Sequence, residues 1–236
     1  MYRVQKVLSL LGVLSRRECE KKIELGLVKI NNEVAKLGSS VSLGDKILYD
    51  NNEYIITEKL LDIETKILIY NKSINEIVSR HDPHKRPSVF DMLPNVNGKW
   101  INIGRLDYKT SGLLLFTNNG DIANRMMHPS SNILRTYVVS IDGSFDRKKM
   151  ELTLKGIDIG NSEIGKLTEI TPDNSIHNKF IIKLKTGKNR EVRRIFSRLD
   201  CNVIKLKRIS YGDIHLGKIK TKCYEYIDPK ILQKFI

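Results

Sequence analysis

Gly104-Arg105-Leu106-Asp107-Tyr108-Lys109-Thr110-Ser111-Gly112, running on into Leu113-Leu114-Leu115-Phe116-Thr117-Asn118-Asn119-Gly120, decides how this chain reads. Trp100-Ile101-Asn102-Ile103 leads in, Leu113 to Phe116 leads out, and Asn118-Asn119-Gly120 stops the run. Short apolar runs bounded by Gly and Asn predict strands joined by turns. Arg105 and Asp107 then sit on a tight connection between two buried segments. A charge held there by rigid scaffold must be paired or hydrogen-bonded if it is buried. On shape alone Asp107 reads as a turn-capping residue, since Asp favours turns for that reason.

Around this stretch the chain has 236 residues and a formal net charge of +14. That length fits one large domain, or one large and one small. The basic balance points to a polyanionic partner, nucleic acid or an acidic membrane surface. Lack of an amphipathic helix with a strong aromatic face disfavours the membrane, no apolar run reaches the eighteen or so residues of a span, and Met1 to Lys6 has no leader-like apolar core. Cys19, Cys201 and Cys223 are odd in number and far apart, so they read as reduced thiols of a cytoplasmic protein. The charge is uneven. Residues 1–60 carry ten Lys and Arg against eight Asp and Glu, whereas residues 179–222 carry fourteen against three. In the late segment the charges alternate with apolar residues, which would place them on one side of a sheet and favours a binding surface over a merely solvated face.

Upstream, Val4, Val7, Leu8 and Leu11 recur at helical spacing and Gly12 stops them. Ser15 with Glu18 three residues on predicts a capping box opening a second helix, which Gly26 closes. Leu27 to Ile30, an Asn31-Asn32 turn and Glu33 to Ala35 predict a hairpin. A domain boundary is expected near residue 61. Ile67 to Tyr70 reads as a strand, followed after a polar loop by Val89 to Pro94. His81 and His84 have no carboxylate or Cys at a ligand spacing and predict no metal site.

Downstream, Asp121 to His128 reads as a helix ended by Pro129, and Arg135 to Ile141 as a strand with Tyr137 on the face of Val139 and Ile141, by pattern a core tyrosine. Phe180 to Leu184 is a further strand. Thr186-Gly187-Lys188-Asn189-Arg190 turns into the helix Glu191-Val192-Arg193-Arg194-Ile195-Phe196, and Val203 to Leu216 follows with Leu206 and Arg208.

The Gly104–Gly120 string resembles the active-site motif of pseudouridine synthases of the RsuA/RluB kind. Thr186 to Phe196 resembles that family's second signature. Residues 2–48 resemble a small αL RNA-binding domain first known from a ribosomal protein. Asn119, Ser73 and the strand Cys223 to Tyr226 depart from the family pattern. The implied fold is α+β: residues 1–60 an RNA-binding domain, residues 61–236 a catalytic domain on a mixed, mainly antiparallel sheet with flanking helices. The implied reaction is uridine to pseudouridine in ribosomal RNA, closest to the branch acting on the large subunit. A small-subunit substrate, or a non-catalytic rRNA-binding assembly factor, is the alternative.

By the same resemblance Asp107 is the catalytic residue, as nucleophile or base. Arg193 is its charged partner, suited to a bidentate grip, and the pair would lower the pKa of Asp107. Tyr137 stacks on the flipped uracil and Leu206 packs on its other face, base–aromatic stacking being worth about 1–3 kcal/mol. Arg105 enters the vacated stack or holds a phosphate. Lys188, Arg190, Arg194 and Arg208 add RNA contacts. Arg16 and Arg17, at a helix N-terminus, reach phosphates of the RNA unless they simply form a solvated face. No cofactor or metal is implied, and the chain is expected to act as a monomer.

Overall fold

The computed structural model describes residues 1–173 and 175–231. The chain divides into two compact units. One comprises Met1–Ile67, Pro94–Ile101 and Thr117–Asp121, the other Leu68–Leu93, Asn102–Phe116 and the residues from Ile122 onward.

In the first unit two helices, Val4–Leu10 and Arg16–Glu24, pack on a small sheet in which Val28–Ile30 lies between Glu33–Val34 and Lys46–Tyr49, with Asn52–Ile55 outermost. The helical periodicity buries Val4, Val7, Leu8, Cys19 and Ile23 against Val28, Val41 and Ile47. The capping box forms as its residues dictate: Ser15 Oγ accepts from Glu18 N–H at 3.2 Å, and Glu18 Oε2 accepts from Ser15 N–H at 2.8 Å. Asn31 and Asn32 both take positive φ, as a two-residue hairpin turn requires.

The second unit is built on a nine-stranded sheet. Its main path runs Glu169–Pro172, Lys179–Leu184, Arg135–Asp142, Asn202–Tyr211, Ser111–Thr117, Ile67–Lys72 and Tyr224–Ile227. Arg135–Asp142 is antiparallel to both its neighbours, whereas Asn202–Tyr211 and Ser111–Thr117 pair in parallel. The architecture is thus α+β on a mixed sheet. The helix Arg147–Lys155, capped by Asp146, and the strand Glu169–Pro172 lie in a region where the sequence suggested no element.

The register sorts side chains onto two faces. Tyr137 opposes Arg208, and Val139 opposes Leu206, all on one face. The other face carries Thr136, Val138 and Ser140, with Lys207 and Lys205 across one edge and Lys183, Ile181 and Lys179 across the other. The first face is buried and the helix Glu191–Ser197 packs there through Phe196, which contacts Phe145, itself against Phe180. On the second face Lys205 and Lys207 are exposed. Lys183 pairs with Glu169 at 2.9 Å and Lys179 with Asp173 at 2.8 Å, but Lys205 and Lys207 have no ion-pair partner among the described residues. The strand lysines do share one side of the sheet, and it is the side away from Tyr137 and Leu206.

Candidate active site

The turn that carries Asp107 is built by its glycine and by hydrogen bonds. Gly104 takes a φ of +74°, and Thr110 N–H donates to Asp107 O at 2.9 Å, closing a turn over Asp107 to Thr110. Gly112 sits at φ +101° against the neighbouring strand, where a Cβ would meet Arg208 O at 2.2 Å. No other residue type allows that approach, so the Thr-Ser-Gly segment has a steric reason to end in glycine.

Beneath the turn lies Lys72, which sequence reasoning passed over as the end of a strand. It is fully buried. Its ammonium donates to Ser73 O at 2.8 Å, Thr110 O at 2.8 Å and Asp107 O at 3.2 Å. Burial pushes its pKa down to about 8, with the charges of Glu76 and Asp107 opposing the shift. Buried Glu76 accepts from Tyr70 Oη at 2.8 Å and from Ser73 N–H at 2.7 Å. Asn75 N–H donates to Tyr108 O at 2.8 Å. The loop after Ile67–Lys72 therefore clamps the Asp107 turn from below. Only the juxtaposition of Lys72 with Glu76 hinted at this, and that pattern is common on surfaces.

A cavity of about 780 Å³ opens above the turn. Asp107, Arg105, Tyr137, Leu206, Arg208, Arg193, Arg190 and Lys188 all border it. Tyr137 and Leu206 are almost entirely buried, and Arg105 and Arg190 are exposed at its edge. The sequence had left Tyr137 open as a plain core residue; it is buried, and it also faces the cavity.

Two expected roles need correction. Arg193 does not grip Asp107 in a bidentate ion pair. Its Nη1 donates to Val203 O and its Nη2 to Lys109 O, each at 2.8 Å, while Nε is buried with no partner. Those two carbonyls take the fork that a carboxylate would have used. Burial lowers the pKa of Arg193, Arg190 adds to that, and the charge of Asp107 opposes it, so the two residues act on each other across space rather than through a salt bridge. Arg194, expected at the RNA, is absorbed by its own fold. It pairs with Glu163 and donates to Ile159 O, Gly160 O and Asn189 O.

Lys188 borders the cavity, but its ammonium donates to Ile164 O. Arg16 and Arg17 are exposed on the first turn of their helix in the first unit. Among the described residues no three His, Cys, Asp or Glu side chains come together as a metal site, and no helix is long and apolar enough to cross a membrane. All three cysteines are free, Cys19 and Cys201 buried and Cys223 exposed.

A carboxylate on a tight turn, with an aromatic, an apolar side chain and several arginines bordering the same cavity, suits an enzyme whose carboxylate acts on a planar group of an anionic substrate. The chain belongs to the RNA pseudouridylate synthase family, whose model matches residues 66–198; an S4 domain matches residues 3–47. It is 38% identical to the ribosomal large subunit pseudouridine synthase B of Vibrio vulnificus, over 92% of this chain and 68% of that protein. The protein of the same name from Xylella fastidiosa is 41% identical over 92% of this chain, which spans 46% of its length. A solved structure described as a pseudouridylate synthase superposes over the whole of both chains with a TM-score of 0.69 at 23% identity, the same fold.

Proposed function

We propose that this chain isomerises uridine to pseudouridine in the 23S RNA of the large ribosomal subunit. The observation that carries the reading is that Asp107, Tyr137, Leu206 and Arg193, far apart in sequence, border one cavity. The relatives, named as synthases of the large ribosomal subunit, supply the substrate class.

The target uridine flips out of folded RNA, at a cost of a few kcal/mol. Tyr137 stacks on one side of the base and Leu206 closes the other. Arg105 stands at the cavity edge two residues from Asp107, placed to fill the vacated stack or hold a phosphate. The carboxylate of Asp107, on the turn whose main chain Lys72 clamps, attacks C1′ of the ribose or takes a proton from the neighbouring ribose carbon. Arg193 keeps a positive potential beside that carboxylate. Arg190 and Lys188 line the approach. Residues 1–60, with Arg16 and Arg17, form a separate RNA-binding domain, and residues 61–236 the catalytic domain. The protein works as a cytoplasmic monomer without cofactor or metal.

The test is Asp107→Asn, which keeps the size and removes the charge. Pseudouridine formation in a large-subunit rRNA transcript is expected to vanish while RNA affinity stays within a few fold. Turnover near wild type would remove Asp107 from the chemistry. Mapping pseudouridines in rRNA from cells with and without the protein locates the uridine, and a lost site in the small subunit would reassign the substrate.

A further inference from the structure

Arg208 is the largest fully buried side chain described, and it has no counter-anion. Its relative exposure is 2%. It makes one hydrogen bond, from Nε to Leu113 O at 2.8 Å, and its Nη2 is buried without a partner. No described carboxylate forms an ion pair with it. Its guanidinium lies 5.2 Å from the ring of Tyr211, whose hydroxyl donates to Met126 O at 2.7 Å. The group is therefore fixed in place, and its charge is uncompensated. A buried guanidinium without a counter-anion is costly to fold around. A site that retains one gains if an anion forms beside it.

Register and cavity indicate where that anion forms. Arg208 lies opposite Tyr137 across the strand pair and two residues beyond Leu206 on the same face. It borders the cavity with Asp107. These are the residues that hold the base in the reading above, on which this inference rests. When the C1′–N1 bond breaks, its electron pair stays on the uracil and spreads over N1, O2 and O4. C1′ then bonds to a carboxylate oxygen of Asp107, or the neighbouring ribose carbon gives Asp107 a proton. On either route the detached uracil is an anion until C5 bonds to C1′, which breaks the C1′–Asp107 bond on the first route and returns the proton from Asp107 to the ribose carbon on the second. The C5 proton then passes to solvent and N1 takes one up, so the sum is an isomerisation.

We infer that Arg208 is a further catalytic residue, whose free guanidinium edge stabilises the uracil anion. That charge exists only after bond cleavage, so the interaction favours the transition state over bound substrate. A phosphate is the other anion RNA offers. Phosphates are met by exposed arginines such as Arg105 and Arg190 at the rim, whereas Arg208 is shut off from solvent beside the base-gripping residues.

The experiment compares wild type, Arg208→Met and Arg208→Lys on an in vitro transcript of large-subunit rRNA. Single-turnover rate, RNA affinity across a salt series and thermal denaturation are measured together. Removing one such charge-stabilising donor is expected to slow the Met variant by about 10²–10³-fold, with affinity and salt slope unchanged, and Lys is expected to restore part of the rate. A transcript bearing 5-fluorouridine supplies a uracil whose anion is more stable by itself. Its consumption is expected to show a narrower gap between wild type and the Met variant, which a purely structural role would not produce. Loss of affinity with a salt slope reduced by about one would make Arg208 a phosphate contact and overturn the inference. A Met variant as fast as wild type would overturn it too, as would a gap unchanged by fluorine. A wild-type protein that converts no uridine would instead sink the underlying reading.

Discussion

Replacing Lys72 by Met removes an ammonium that joins the Asp107 turn, through Asp107 O and Thr110 O, to Ser73 O of the loop beneath it, and its signature is a pH dependence. Burial sets the folded pKa at about 8 against 10.5 for the free side chain. Between those values the unfolded chain carries a proton on Lys72 that the folded chain has released. The unfolded state therefore binds more protons, and stability rises with pH across the window. The slope is about 1.4 kcal/mol per pH unit, so the gain from pH 8 to 10.5 is about 3 kcal/mol. Met exchanges no proton, and the other titrating groups are common to both proteins. The stability difference between wild type and Lys72→Met should be flat below about pH 7 and grow in favour of wild type by about 3 kcal/mol up to pH 10.5. At neutral pH two effects oppose each other. The Met variant leaves Ser73 O and Thr110 O without their donor, at about 1–3 kcal/mol each, but is relieved of a desolvated charge. Asp107 O keeps its bond from Thr110 N–H. Overall stability at pH 7 should thus stay near wild type while the turn loosens and activity falls. Urea unfolding at half-unit pH steps, extrapolated to water, measures the difference. Parallel stability curves for the two proteins would refute the reasoning.

Gly112→Ala drives a Cβ into the backbone of Arg208 at a positive φ, and should lower stability by about 1–3 kcal/mol or more and displace Leu206 and Arg208; an unchanged melting temperature would refute this. Arg193→Met leaves Val203 O and Lys109 O without a donor and removes the charge beside Asp107, so both activity and stability should fall. Arg193→Lys, which keeps the charge but not the fork, should retain partial activity, and equal activity in the two variants would show that the charge is dispensable. Arg105→Ala and Arg190→Ala should each reduce the slope of log affinity against log salt by about one, whereas Lys205→Ala and Lys207→Ala, on the opposite sheet face, should leave it unchanged. Equal losses from both pairs would mean that RNA engages both faces.

The parts of the fold set by local chemistry were legible in the sequence. Ser15 and Glu18 cap a helix wherever it goes, and the alternation through Tyr137, Val139 and Ile141 puts Tyr137 inward whatever the strand pairs with. Asp107 was legible because a whole string surrounds it. What escaped depends on partners distant in the chain. Arg193 reads as the mate of a carboxylate, but the carbonyls of Lys109 and Val203 reach its fork first. Lys72 ends an apolar strand and nothing nearby announces that Thr110 O will cover it. The charge count located the basic segment but not its geometry, because the two bulges in the pairing of Arg135–Asp142 with Asn202–Tyr211 determine which side chains share a face. The helix Arg147–Lys155 buries only Thr153, too faint a stripe to register as a period.

The parallel pairing of Ser111 and Gly112 with Lys207 and Arg208 has a consequence for how the molecule comes into being. The carbonyl that Arg193 grips lies 84 residues earlier in the chain, and the one that Arg208 grips lies 95 residues earlier. Contacts of such long range form late, because the loop between them must close first. Translation proceeds from the N-terminus, so the small helical unit can fold while the partners of Asp107 are still unmade. A nascent chain halted before Arg208 has the Asp107 turn but not the full lining of the cavity above it. The growing polypeptide has the whole of its first unit early, yet the cavity beside Asp107 is complete only when the strand carrying Leu206 and Arg208 has been made and has paired beside Gly112.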